Sequence, residues 1–438
     1  MMKRGNVVMV GLEGRVEGRD HPQRAQLNDE LHARPHMRIT TPARLTHVAH
    51  LTGELGADHA HLLDLCRAVG LPLPGTELRQ VQLLVDGRTV KWERHTEFTA
   101  ITVADLEPVE TGDWSALSPR LADWLARLPG LRLVACHLRL EPDAEPRHSP
   151  ESLSAIFPRG EVLGSEVAGG EALVWTDFRL CPDGFTRILV RDIGLSPSHA
   201  GRVAQRLLEI ETYRMTALLG LPLARDAGPE LASLEQRLES IVARTATAHD
   251  MAEEHGLLDA LTRLATEAET LSVRCRYRFG ATMAYAELVE RRVEELREER
   301  IPGLQRLGVF LERRFRPAVR TCEAVARRQA ELAAGISRAS SLLRTRVDVQ
   351  RAEQNAEILK SLEHRARTQL RIQEAVEGLS VFAITYYLLG LVKYVVEGLP
   401  AIPGLPPKSL LTGIAVPTIL AAVWVGIRRL RRAVSARE

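Results

Sequence analysis

A chain of 438 residues exceeds what one hydrophobic core usually organises, so two or three structural units are expected. Aromatic residues make up only 4% of it while Leu, Ala, Arg and Glu abound, which argues against an all-β sandwich and for a largely helical protein. The 58 basic residues nearly cancel 56 acidic ones, and no Lys/Arg tract is interleaved with aromatics, so nucleic acid is not an expected partner.

The opening "MMKRGNVVMVGLEGR" has a basic start, but its apolar run is too short for a signal-peptide core, and export is not indicated. The next distinctive stretch is "NDELHARP". Asn28, Glu30, His32 and Arg34 fall within one short helix that Pro35 ends, and Glu30 with Arg34 has the i,i+4 spacing of an ion pair. Two readings stand: an ion-paired helix laid across a sheet, with Leu27 and Leu31 as anchors, or a ligand- or anion-binding edge in which Arg34 offers a fork of donors.

Strands are expected over Arg44 to Leu51 and Leu131 to Leu140, and helices over Gly53 to Val69 and Asp113 to Leu128. Two β-hairpins follow from turns at Asp86-Gly87 and Pro182-Asp183-Gly184 between extended runs. The run "WERHTEF" reads as strand. Alternation then puts Trp92, Arg94, Thr96 and Phe98 on one face and Glu93, His95 and Glu97 on the other, where the three ionisable groups either bind a divalent cation or form the wet side of a sheet. His47 with His50, and His59 with His61, lack a matching ligand set for zinc. An α+β cytoplasmic domain is expected over 1–195.

From Ser198 the pattern is helical: Ser198 to Leu219, Gly228 to Ala248 and Met251 to Arg300, with breaks at Pro222, Gly228 and Pro302, and with Ser198 placed to cap the first. "RLLEIETYR" puts Arg206, Glu209 and Tyr213 on one stripe and Glu211 with Arg214 on another, a pattern for interdomain or intersubunit ion pairs. The charge-dense "VERRVEELREER" (Val289 to Arg300) reads as a solvated helix face. From Ala318 to Gln373 no proline occurs, and apolar residues step by threes and fours through Leu332, Ile336, Leu343 and Val347 to Leu359, Leu362 and Leu370. A helix of that length reaches about 80 Å and needs packing partners, either the preceding helices or copies of itself, so a homo-oligomer through a coiled-coil-like long helix is expected. A helical bundle or stalk is therefore assigned to 196–373.

The remainder, 374–438, reads as a transmembrane hairpin. Gly378 to Val396 carries no charge until Lys393, which can snorkel, and Leu410 to Ile427 is uncharged, with Pro417 a candidate kink. The connecting "EGLPAIPGLPPKS" has four prolines and reads as a tight turn. Arginines flank the pair (Arg365, Arg367 and Arg371 before; Arg428, Arg429, Arg431, Arg432 and Arg437 after) but are absent between, which places both termini in the cytoplasm. The five cysteines are odd in number, scattered and never in a C-x-x-C pair, as suits a reducing compartment. The lipid bilayer is thus an expected partner, at the bacterial inner membrane.

No phosphate-binding loop, nucleophile elbow or H-E-x-x-H motif occurs, so no enzyme activity, catalytic residue, cofactor or metal is assigned. Five runs, "NDELHARP", "WERHTEF", "RLLEIETYR", "LLRTRVDVQRAEQN" and "VEGLSVFAITYY", resemble those of a bacterial family of predicted membrane-anchored proteins of unknown function, along nearly the whole chain. The resemblance implies an anchor but no activity. The order of an α+β domain, a long helix entering a first span, a short outer loop, a second span and a basic tail is also similar to the CorA-type magnesium channels, which are pentamers. Those carry Gly-Met-Asn at the outer end of the first span, where this chain reads Leu391-Val392-Lys393-Tyr394. Two function classes follow: a non-enzymatic membrane-anchored module that binds a small ligand or protein partner through the 28–34 and 92–98 clusters, or an oligomeric ion channel or transporter in which Ser380, Thr385 and Tyr387 line the pore.

Overall fold

The computed structural model describes residues 21–24, 27–28, 36–53, 56–107, 112–143, 148–248, 250–398 and 407–435. They divide into two compact units, the first within 1–247 and 259–338 and the second within 248–258 and 339–438.

The first unit is built on a mixed nine-stranded sheet of order β2-β3-β4-β1-β5-β8-β7-β6-β9. Strand β1 (Ala43–Leu51) lies between β4 (Phe98–Asp105) and β5 (Leu131–Pro142), antiparallel to both. The β2 (Gln80–Val85) and β3 (Arg88–Arg94) hairpin turns at Asp86-Gly87 as the sequence indicates, with φ of 52° and 77°, the left-handed pair that a two-residue hairpin requires. The second expected hairpin joins β7 (Ala172–Thr176) to β8 (Thr186–Asp192), and at its Pro182-Asp183-Gly184 turn the Asp183 carboxylate accepts from the Phe185 amide at 2.9 Å. β8 runs parallel to β5, because the β6 (Leu163–Val167) and β7 hairpin intervenes between them. The two-residue β9 (Glu299–Arg300) closes the edge against β6.

Expectation and structure part at "WERHTEF". Strand β3 stops at Arg94, and the chain reverses through residues 95–98, with the His95 amide donating to the Phe98 carbonyl at 2.8 Å. Arg94 is already committed, since it faces Thr99 across the hairpin and its Nε donates to Asp58 at 2.9 Å. The strand's alternation therefore does not carry through the turn: Trp92 is buried on one face of the sheet and Phe98 on the other.

Both faces are covered. On one, α1 (Ala57–Val69) and α2 (Pro119–Ala126) lay Leu62, Leu65, Leu121 and Trp124 over Trp92, Ile101 and Val103. Further along the same face α3 (Pro150–Ile156) contributes Leu153 to a smaller cluster with Trp114, Trp175 and Leu189. The opposite face packs on α4 (Pro197–Leu218), where Ala200, Val203, Ala204 and Leu207 recur at helical spacing and are each about 1% exposed. Full burial of such side chains contributes about 1.5–3 kcal/mol for each large one. The expected boundary at residue 195 thus falls just before a helix that shares the sheet's core.

The helix cap lies two residues before the one expected: Ser196, not Ser198, accepts from the His199 amide at 3.3 Å, with Pro197 in the first turn. The breaks expected at Pro222 and Gly228 are also absent, since α5 runs unbroken over Gly220–Thr247 with Pro229 inside it. Pro222 falls in the first turn, where its missing N–H costs nothing, and Gly228 has open space around it. After α5 come α6 (Met251–Leu296), which spans both units, and the short α7 (Leu307–Arg314).

The second unit holds most of α8, a single 83-residue helix over Arg316–Gly398 that merges the expected stalk helix with the expected first span. It is followed by α9 (Lys408–Ser435), with Pro417 inside it. Both helices contain a stretch long and apolar enough to cross a membrane. Those stretches are almost wholly exposed in this chain: Leu379 is 73% and Phe382 71% exposed, and Trp424 54%. The turn expected between them lies in large part, at 399–406, outside the described residues.

Candidate functional site

Of the first expected cluster, only Asn28 is described; it stands exposed in a helical turn, while Glu30, His32 and Arg34 lie outside the described residues. His36, immediately beyond, shares a 2.7 Å hydrogen bond with Ser198 at the start of α4. Partial burial, then Arg202, Lys91, Arg38 and Arg206, hold its pKa below the usual histidine value.

The second cluster is split by the turn. Glu93 and His95 point toward α4 and line a narrow cavity of about 40 Å³ with His47, Lys91, Thr102, Thr212 and Tyr213. That volume holds about one water molecule. Strand alternation explains the placement, because Lys91 and Glu93 share a face, and the Lys91 ammonium, nearly fully buried, sits 2.9 Å from the Glu93 carboxylate. His47 bridges the sheet to the helix, 2.8 Å from the Thr102 hydroxyl through Nδ1 and 2.9 Å from the Thr212 hydroxyl through Nε2. The Thr212 hydroxyl already donates to the Leu208 carbonyl at 2.8 Å, so it accepts from His47 Nε2–H, and Nδ1 accepts from Thr102. This is a neutral imidazole: burial first, then His95 and Lys91, push its pKa down to about 3.

Glu97 leaves this group. It reaches α6, where Arg278 donates to it at 2.9 Å, and burial first, then the Glu97 charge, raises Tyr285 to about 12. The "RLLEIETYR" residues pair with α6 as well: Arg206 Nε donates to Glu295 at 3.0 Å, and Glu209 takes Arg292. Glu211 instead accepts from Arg214 and from Thr186 of β8, at 2.7 and 3.0 Å.

A larger site lies on the sheet's other face. There α3, the 160–162 turn, β6, β7 and residues 301–304 enclose a cleft of about 680 Å³, within the range of small-molecule sites. Its walls are Leu153, Leu173, Trp175, Ile301 and Leu304. At its base the parallel β5–β8 ladder sets Glu141 beside Arg191, both almost fully buried, with Arg191 Nε and Nη2 donating to one Glu141 oxygen at 3.2 and 2.7 Å. His148 Nε2 meets the same oxygen at 2.5 Å, and its ring stands edge-on to Trp175 with centroids 5.5 Å apart. A buried pair of this kind fixes geometry more than it adds stability. Sequence reading missed these residues because Glu141 and Arg191 alternate with apolar neighbours, as solvent-facing residues do; only the pairing of β5 with β8 brings them together. The signal available was a pair of charges near the end of each strand, Arg139 and Glu141 in "LRLEP" and Arg191 and Asp192 in "ILVRDI".

In α8, the Ser380 and Thr385 hydroxyls donate to the Val376 and Val381 carbonyls at 2.8 and 2.7 Å. Ser380 and Tyr387, seven residues apart, share a helix face; Thr385, about 140° round from Ser380, does not. Among the described residues no group of three or more His, Cys, Asp or Glu is placed to hold a metal ion.

No curated protein matches the chain. Among solved structures it is similar to "structure of the full-length CmaX protein", at 14% identity over 74% of this chain and 93% of that one, with a TM-score of 0.13, too low to bear on the fold. A family model, "Protein of unknown function (DUF3422)", matches residues 19–434, and the chain belongs to that family.

Proposed function

We propose that the chain is a non-enzymatic, membrane-anchored binding protein of the bacterial inner membrane. The hairpin of α8 and α9 crosses the bilayer with both termini cytoplasmic, and the first unit presents its cleft to small ligands in the cytoplasm. Copies assemble through α8. The observation that carries the anchor is the exposure of the uncharged stretches of α8 and α9, whose apolar side chains are left largely uncovered by the described residues. A surface of that kind needs lipid or protein against it. The arginines on the two outer flanks and their absence between the helices support the orientation. The cleft, rather than the 40 Å³ cavity beside Glu93 and His95, has the volume for a ligand.

Truncation after residue 370 tests the anchor. The full chain is expected to stay in the membrane pellet after a carbonate wash, and the truncated chain to be soluble. A truncated chain that still pellets refutes the anchor assignment.

A second reading, a CorA-like oligomeric channel, draws support from the unbroken course of α8 into its apolar stretch. In that reading Lys393 stands near the outer mouth, with Glu397 at 3.9 Å and the Glu397 carbonyl taking the Lys408 ammonium at 3.1 Å, an arrangement that does not leave a ring of free carboxylates for magnesium. Robust magnesium flux into liposomes holding the assembled protein would put this reading first.

A further inference from the structure

We infer that the cleft takes an amphipathic cation: a small molecule with an apolar, flat or branched body and one protonated amine. The inference rests on the reading of the cleft as a binding site and adds the charge and shape of what enters it.

Body and volume come first. The walls combine the Trp175 ring with Leu153, Leu173, Ile301 and Leu304, and the space of about 680 Å³ matches a compact organic molecule with part of its hydration. An apolar body gains about 25 cal/mol for each Å² it removes from water against such walls.

Charge follows from what the ion pairs leave over. The cationic group of the lining, Arg191, spends its Nε and Nη2 on Glu141, and that same carboxylate oxygen also meets His148. Asp143, Glu161 and Glu166 line the cleft too, and none of the three has an ion-pair partner among the described residues. Glu166, on β6, is half-buried, where a lone carboxylate is attracted to a cation more strongly than in open water. Glu141 is shared with Arg139, at 3.5 Å, so the group holds four carboxylates (Glu141, Asp143, Glu161 and Glu166) against the two guanidiniums Arg191 and Arg139, and an incoming anion would meet net negative charge. An incoming ammonium would meet carboxylates that have no ion-pair partner among the described residues, together with the π-surface of Trp175, which favours cations further.

The test uses the full chain in lipid nanodiscs, with binding read by calorimetry against empty nanodiscs. The probes are 2-phenylethylamine and 3-phenylpropionate, which share a body and differ in the sign of charge. The amine is expected to bind at least about tenfold more tightly than the carboxylate. Glu166→Gln should weaken the amine by about three- to tenfold while leaving the carboxylate no weaker. Ser154→Trp, at an exposed α3 position facing the cleft, should block the amine, with the urea midpoint confirming that the variant is folded. Carboxylate binding tighter than amine binding, blocked by Ser154→Trp, would overturn the inferred ligand class and keep the cleft as a binding site. Binding of neither probe would overturn both. Amine binding indifferent to Glu166→Gln and Ser154→Trp would place the probe elsewhere and overturn the inference.

Discussion

Acid should loosen the sheet unit through its buried histidines, and His47 isolates the effect. Its pKa falls to about 3 in the fold because a charged imidazole would be stripped of water between Thr102 and Thr212, both of which are matched to the neutral ring. His137, stacked on Phe185 with centroids 4.1 Å apart and bonded to Thr46, is lowered to about 4 by burial first. A depressed pKa means that the unfolded chain binds more protons than the fold. Stability is therefore whole above pH 7, and is lost as the pH falls through the unfolded value of about 6.5 toward 4. Between pH 7.5 and 5 each such histidine removes about 2 kcal/mol, a substantial share of the 5–15 kcal/mol that holds a typical domain. Glutamine at position 47 can accept from Thr102 and donate to Thr212 without titrating. His47→Gln should consequently lose about 2 kcal/mol less than the parent between those two pH values. Urea unfolding of the full chain in mild detergent, followed by tryptophan fluorescence, reads this directly, since Trp92, Trp114, Trp124 and Trp175 sit in the sheet unit and only Trp424 is elsewhere. Equal acid losses in parent and variant would show that His47 is not the neutral bridge described.

Two glycine substitutions in helices should move stability in opposite directions. A Cβ at Gly201 would fall on the Met37 carbonyl where α4 passes over the segment leading into β1, so Gly201→Ala should cost about 1–3 kcal/mol or more, whereas Gly228→Ala, with nothing within 4 Å, should gain about 0.5–1 kcal/mol; matching urea midpoints would refute the packing argument. Glu97 and Arg278, 10% and 17% exposed, tie the β3–β4 turn to α6, and Glu97→Ala should cost about 2 kcal/mol. A double-mutant cycle with Arg278→Ala should recover part of that loss as coupling, and zero coupling would mean that the pair adds nothing.

How far the sequence is legible differs between backbone and site. Local signals sufficed where one stretch decides its own structure: Asp86-Gly87 forces a tight hairpin, Gly70 ends α1 in a left-handed conformation with φ of 70°, and the apolar stretches of α8 and α9 stand out by length alone. They misled where two local rules compete. "WERHTEF" alternates like a strand through residues that belong to a turn, and Ser196 and Ser198 both precede a helical pattern, but only Ser196 has a proline behind it to begin the first turn.

The site was hidden for a different reason. Glu141 and Arg191 are 50 residues apart, and what joins them is a parallel ladder between strands separated by a hairpin, a pairing that no local pattern announces. Period-two alternation assigns both to a face, yet cannot say whether that face meets water or another layer. The answer depends on α3 and on residues 301–304, which arrive from distant parts of the chain to roof the sheet there and leave a cleft. The same logic accounts for the cluster the sequence did advertise. Glu93, His95 and Glu97 looked like one polar face, but the turn sends Glu97 to Arg278, Lys91 neutralises Glu93, and the space left beside them is smaller than a ligand. Charged residues close in sequence were thus used to fasten the fold, while the pair that shapes the larger cleft was assembled from strands that only the sheet brings side by side.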